Sequence, residues 1–208
     1  MYSSYSYSPE HLKRIEQTLE SAMMAHKRLS CFFITLRFPH RDISRDDNKV
    51  ISRFTDALKY HINSYIDLKR SEGKRVHATA FYYIWAKEFG TINGNKHYHI
   101  NLLLNKDTFH RLGGYEYSSA EIDSLANMIQ KAWCSAAGLN PSIHSSMIHF
   151  AKDLPCMWIE NDNIEQKIKV QNRINYLAKN ETKDNDSNNR SFHCNQTKPS
   201  WLNGNKRI

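Results

Sequence analysis

Cysteine is scarce in this chain, and long hydrophobic runs and a basic leader are absent. The four cysteines, Cys31, Cys134, Cys156 and Cys194, lie far apart with no Cys-x-x-Cys pair. That spacing argues against a thiolate zinc site and offers no disulfide framework, leaving cytosolic thiols as the reading. The longest apolar runs, such as Cys31-Phe32-Phe33-Ile34, fall far short of the roughly 20 residues that span a bilayer. Met1 to Ser8 is polar and rich in Tyr and Ser, with no basic region leading into an apolar one, so it does not read as a secretion signal. A cytoplasmic protein with no membrane partner is expected. No internal repeat is visible.

What is present is a globular composition. Of 208 residues, 40% are hydrophobic and 12% aromatic, enough for one domain with a sizeable core and a ragged tail. The net charge of +8 suits a polyanionic partner, most commonly nucleic acid. The basic residues are scattered. Their one dense cluster, Lys69-Arg70 with Lys74-Arg75, reads equally well as a solvated helix end.

Local patterns give an order of elements. Pro9 to Arg28 reads as a helix, capped by Ser8, with Leu12, Ile15 and Leu19 at helical spacing. Cys31 to Phe38 is a strand stopped by Pro39, His40 to Asn48 is a charged loop, and Val50 to Lys69 is a second helix. Val76 to Glu88 and Lys96 to Leu104 form a hairpin around the turn-prone Gly90 to Asn95. A helix over Ser118 to Ala137 follows, capped by Ser118 or Ser119 with Glu121 and Asp123 in its first turn. Ile143 to Phe150 is a short strand and Ile164 to Lys179 the last helix. The expected fold is α+β, a ferredoxin-like or RRM-like β-α-β-β-α-β antiparallel sheet with helices on one face. An N-terminal helix (1–30) packs on the main domain (31–180), which ends in a tyrosine-bearing helix. Residues 181–208 form a polar, mobile tail.

The most informative stretch is His97-Tyr98-His99. Side chains alternate on a strand, so His97 and His99 share a face while Tyr98 and Ile100 take the other. Two imidazoles on one face can bind one divalent cation. The hairpin turn suggests that Glu88 stands directly across from His97, where cross-strand Cβ atoms are roughly 4.5–5.5 Å apart. The carboxylate would complete a two-His-plus-carboxylate cluster suited to Mg²⁺ or Mn²⁺, with positions open for substrate oxygens. Glu116 and Asp107 are the alternative carboxylates if the register differs.

On the last helix, Ile164, Ile168, Val170, Ile174, Leu177 and Ala178 cover about half the circumference. Tyr176 and Lys179 fall outside that arc, side by side as i,i+3 neighbours. A tyrosine beside a cation and a metal-bound phosphate can attack phosphorus and form a phosphotyrosine link.

Together and in this order, these pieces resemble the HUH endonucleases, and among them the phage-type replication initiators whose prophage members form the YagK/YfjJ-like family. The resemblance is carried by Phe32 to Pro39, Tyr83 to Glu88, His97 to Asn105, Ala132-Trp133 with Gly138-Leu139, Asn175 to Lys183, and Arg190 to Phe192. It implies cleavage of single-stranded DNA at an origin, an origin hairpin being the expected target. The products would be a free 3′-OH and a 5′-phosphotyrosine, as in rolling-circle replication with a borrowed host helicase. By motif match, His97, His99 and Glu88 would hold Mg²⁺ or Mn²⁺, Tyr176 would attack, and Lys179 would position phosphate or metal. The chain departs from the pattern at Tyr98, where an aliphatic is usual. It also departs at Asn172 and Asn180, which leave no second tyrosine in the motif, and at His193-Cys194, where glycine is expected. The rival readings are a relaxase or transposase with the same chemistry, a nucleic-acid-binding module using sheet aromatics, and a relic that binds without cutting.

Overall fold

The computed structural model describes residues 6–39, 47–90, 94–117, 124–160, 163–180 and 190–195. The helix cap expected at Ser118 or Ser119, the acidic residues Glu121 and Asp123, most of the His40–Asn48 loop and most of the tail lie outside those residues. Elements run α1 (Pro9–Ala25), β1 (Arg28–Arg37), α2 (Val50–Ser71), β2 (Tyr82–Phe89), β3 (Lys96–Asn105), α3 (Leu125–Ala137), a four-residue α4 (Pro141–His144), β4 (Ile148–Phe150), β5 (Cys156–Glu160), α5 (Ile164–Asn175) and β6 (Phe192–Cys194). The strands form one antiparallel sheet in the order β4-β1-β3-β2-β6, with β5 also on β1. The stretch from β1 to β4 is the expected β-α-β-β-α-β unit.

Period-two alternation divides the sheet into two faces. Phe32, Ile34, Leu36, Trp85, Tyr98, Ile100 and Leu102 point toward α2 and α3 and form the larger core. Leu29, Cys31, Phe33, Ile84, Ala86 and Leu103 pack with α1 and α5. Helices therefore cover both faces, the added pair being the N-terminal and tyrosine-bearing helices.

Four element assignments are corrected. The stretch Val76 to Phe81 is not strand, and β2 starts at Tyr82. Residues 143–147, read as the start of a strand, belong instead to helical turns that begin at Pro141, with the Asn140 side chain accepting from Ser142 N. In their place β4 and β5 share the β1 edge, pairing with Ile34–Leu36 and Arg28–Phe32. The segment 151–155 bulges out between them opposite Phe33, tied by Phe33 N to Pro155 O at 3.1 Å. The tail also contributes to the sheet, since β6 pairs with Ile84–Ala86. Cys31, Cys134, Cys156 and Cys194 form no disulfide with one another.

Trp133 is central to the larger core. It is fully buried, its indole N–H donates to Arg37 O at 2.9 Å, and Phe38, Phe54 and Tyr98 meet its rings edge-on. Trp133→Ala should cost about 3–5 kcal/mol in urea unfolding. A loss below about 1 kcal/mol would contradict the packing described.

Candidate metal centre

The hairpin pairs Glu88 with His97 and Ala86 with His99, the register expected from the turn. On the other side of β3, Arg37 pairs with His97 and Thr35 with His99. Glu88, His97 and His99 therefore face the α1/α5 side together, and their ligand atoms all lie within 4.8 Å of one another. Asp107 is instead ion-paired with Arg28. Glu116 lines a separate cavity of about 550 Å³ beside Gly113 and Gly114. Tyr98 is buried on the opposite face against Trp85 and Trp133, away from the two histidines.

Both imidazoles are oriented by partners behind them. His97 Nδ1 is 3.1 Å from Asn95 O. A carbonyl can only accept, so the proton sits on Nδ1 and the Nε2 lone pair is available. His99 Nδ1 is 3.1 Å from Thr35 Oγ1, an oxygen able to accept in the same way. Burial pushes the His99 pKa down to about 4, against the opposing pull of Glu88, so its ring is neutral at physiological pH, as a metal ligand must be.

Glu88 is 2% exposed. Its Oε2 lies 3.1 Å from Lys179 Nζ and 3.6 Å from His99 Nε2, while Oε1 has no hydrogen-bond partner among the described residues. An orphaned carboxylate oxygen is costly in such a place unless a further ligand takes it. Two imidazoles within reach of one ion and one half-satisfied carboxylate fit a divalent cation such as Mg²⁺ or Mn²⁺.

The tyrosine reaches this cluster from above. Asn163 caps α5 by accepting from Gln166 N. The helix ends at Asn175 rather than Lys179, tightening into a 3₁₀ turn over Tyr176–Ala178. In that tighter turn residues i and i+3 eclipse, which places Lys179 beside Tyr176. Lys179 Nζ donates to the Tyr176 hydroxyl and lies 3.8 Å from its ring centroid. Burial, the largest influence on Lys179, lowers its pKa, but the Tyr176 hydrogen bond and the Glu88 charge together hold it above the ordinary value. Tyr176 is 39% exposed, whereas Lys179 is 3% exposed, more deeply placed than a polar helix flank implied. Ile164 and Ile168, expected on the apolar arc, are exposed, and the buried residues of α5 are Val170 and Ile174.

The end of this turn is clamped by the start of the chain. Ser8 N donates to Ala178 O and Asn180 N to Ser6 O, both at 3.0 Å, so Tyr7 and Lys179 form an antiparallel bridge.

A groove of about 520 Å³ opens beside the cluster, bounded by His99, Tyr176, Thr35, His149, Phe150 and Arg173, among others. Sequence reasoning missed Thr35, Arg37, His149 and Arg173. For Thr35 and Arg37 the signal was available: they alternate with Phe33 on β1 and so share the face of the histidines.

Lys179→Met should leave Glu88 buried without its cation. The metal-free protein should lose about 3–5 kcal/mol in urea unfolding, and added Mn²⁺ should restore part of that loss by taking over the carboxylate charge. An equal loss with and without Mn²⁺ would separate Lys179 from the metal cluster.

The family model for the YagK/YfjJ C-terminal domain matches residues 1–195. The Escherichia coli (strain K12) protein YagK is 30% identical over 200 residues, covering 90% of this chain and 92% of YagK. YfjJ of the same organism is 28% identical over 193 residues, covering 87% of this chain and 91% of YfjJ. No solved structure matches. With every described residue inside the matched span, the chain belongs to the YagK/YfjJ C-terminal domain family.

Proposed function

We propose that this protein is an HUH-type endonuclease that nicks single-stranded DNA at a replication origin, the opening step of rolling-circle replication, with a host helicase extending the opened strand. One observation carries the reading: the Lys179 ammonium contacts both Glu88 of the carboxylate–histidine cluster and the hydroxyl of Tyr176. A nucleophile candidate is thereby held at a metal-ligand set by a single cation.

Glu88, His97 and His99 would hold Mg²⁺ or Mn²⁺, which supplies Lewis-acid polarisation of the scissile phosphate. Lys179, donating to the phenol oxygen, stabilises the negative charge that develops there as its proton leaves to water. Tyr176 Oη attacks phosphorus, forming a phosphorus–oxygen bond to tyrosine. The bond from phosphorus to the 3′ oxygen breaks, and that oxygen takes a proton from water. The products are a 5′-phosphotyrosine and a free 3′-OH. Arg37 of β1, the cross-strand partner of His97, adds positive charge on the same face for the incoming backbone.

The test is incubation with single-stranded DNA from the protein's own genetic element plus Mn²⁺, followed by a denaturing gel for a covalent adduct. Tyr176→Phe should fold and bind DNA normally yet form no adduct. Substituting Ala for His97, His99 or Glu88 should slow adduct formation by at least about a hundredfold, equivalent to about 2.7 kcal/mol. An adduct from the Phe variant, or undiminished nicking by wild type in EDTA, would overturn the proposal.

A further inference from the structure

The groove beside the cluster has a wall that phosphate chemistry alone does not need. Arg173 lies one helical turn before Tyr176 and shares its face. Its Cζ sits 3.9 Å from the centroid of the Phe33 ring, and its Nη1 donates to Leu154 O at 2.7 Å in the segment that bulges between β4 and β5. The guanidinium is thus held over an aromatic ring and tethered by a backbone carbonyl. Such a fixed, planar cation is a platform on which a nucleobase stacks. Around it, Phe150 supplies an apolar surface and Asn172 an amide with both donor and acceptor, while His99 and Tyr176 close the end nearest the metal cluster. A volume of about 520 Å³ lies within the roughly 300–1,000 Å³ of small-ligand sites.

We infer that this groove is a nucleobase seat for the nucleotide next to the scissile phosphate, with Arg173 as its stacking platform and Asn172 reading the base edge. The inference rests on the single-stranded-DNA reading above and goes beyond it by assigning base selection to α5 and the 151–155 bulge. A cation that gripped only phosphate would gain nothing from Phe33, whereas a stacking platform needs its plane fixed.

The test is equilibrium binding by fluorescence anisotropy in EDTA, where no strand is cut, using oligo-dT and an abasic oligomer of equal length and charge. Wild type should prefer oligo-dT. Arg173→Lys keeps the charge and loses the plane, so it should bind oligo-dT roughly tenfold more weakly, the loss of one stacked base. Its affinity for the abasic oligomer and its slope of log affinity against log salt should not change. Asn172→Ala, at an exposed position, should alter the relative affinities for oligo-dA, oligo-dC and oligo-dT without changing the melting temperature. If Arg173→Lys binds like wild type, or loses affinity equally for both oligomers, the seat is overturned while the endonuclease reading stands. If Arg173→Lys fails to fold, unchanged base preferences in Asn172→Ala overturn it instead. Wild type that binds neither oligomer overturns both readings.

Discussion

A carboxylate shut away from water is unfavourable unless cations and donors surround it, and the α1/α5 side of this protein is organised around one such group. Glu88 is fixed at the end of a central strand by its register with His97. Satisfying it draws Lys179 down from the end of α5. That in turn requires the helix to tighten after Asn175, and the tightening sets Tyr176 beside the lysine. The half-satisfied carboxylate thus dictates how the tyrosine-bearing element ends. A regular helix through Lys179 would carry the ammonium about 100° per residue around the axis and would not lay it extended into the seam.

The two faces of the sheet divide the work. Tyr98 and the two histidines are consecutive residues of one strand, yet Tyr98 is locked among Trp85, Phe38 and Trp133 while its neighbours hold the candidate metal site. Packing on the α2/α3 side keeps β3 rigid, and that rigidity is inherited by His97 and His99 because a strand cannot rotate one residue without the next. Sites built on such elements hold their geometry better than sites built on loops.

Much of this was legible in the sequence wherever a short-range period decided the outcome. Alternation placed His97 and His99 together, the length of the Gly90–Asn95 turn placed Glu88 opposite, and the β-α-β-β-α-β order followed from the hydrophobic pattern. Features set by tertiary contacts were not legible. The strand β5 follows Lys152, Asp153 and Pro155, which carry no strand pattern, and only the free edge of β1 makes a strand of Cys156–Glu160. Phe192–Cys194 is three residues in a polar tail and becomes a strand because β2 offers an unpaired edge. Ile164 and Ile168 fit the helical period, yet both are exposed, and that end of α5 is held by polar contacts of Gln166 with Glu160 and of Lys167 with Glu20. Arg173 carries no local signature, since its setting depends on Phe33, more than a hundred residues earlier.

The bridge between Ser6–Ser8 and Ala178–Asn180 joins segments separated by most of the chain. Such contacts form only after the intervening loop has been closed, at an entropic cost that local helices and the hairpin do not bear. The turn holding Tyr176 should therefore consolidate late in folding, after the sheet and the α2/α3 core exist. By the same reasoning it should open at lower free energy than the central strands. Its amides should exchange with solvent sooner than those of β1 and β3, giving the tyrosine a freedom of movement that the ligands beneath it lack.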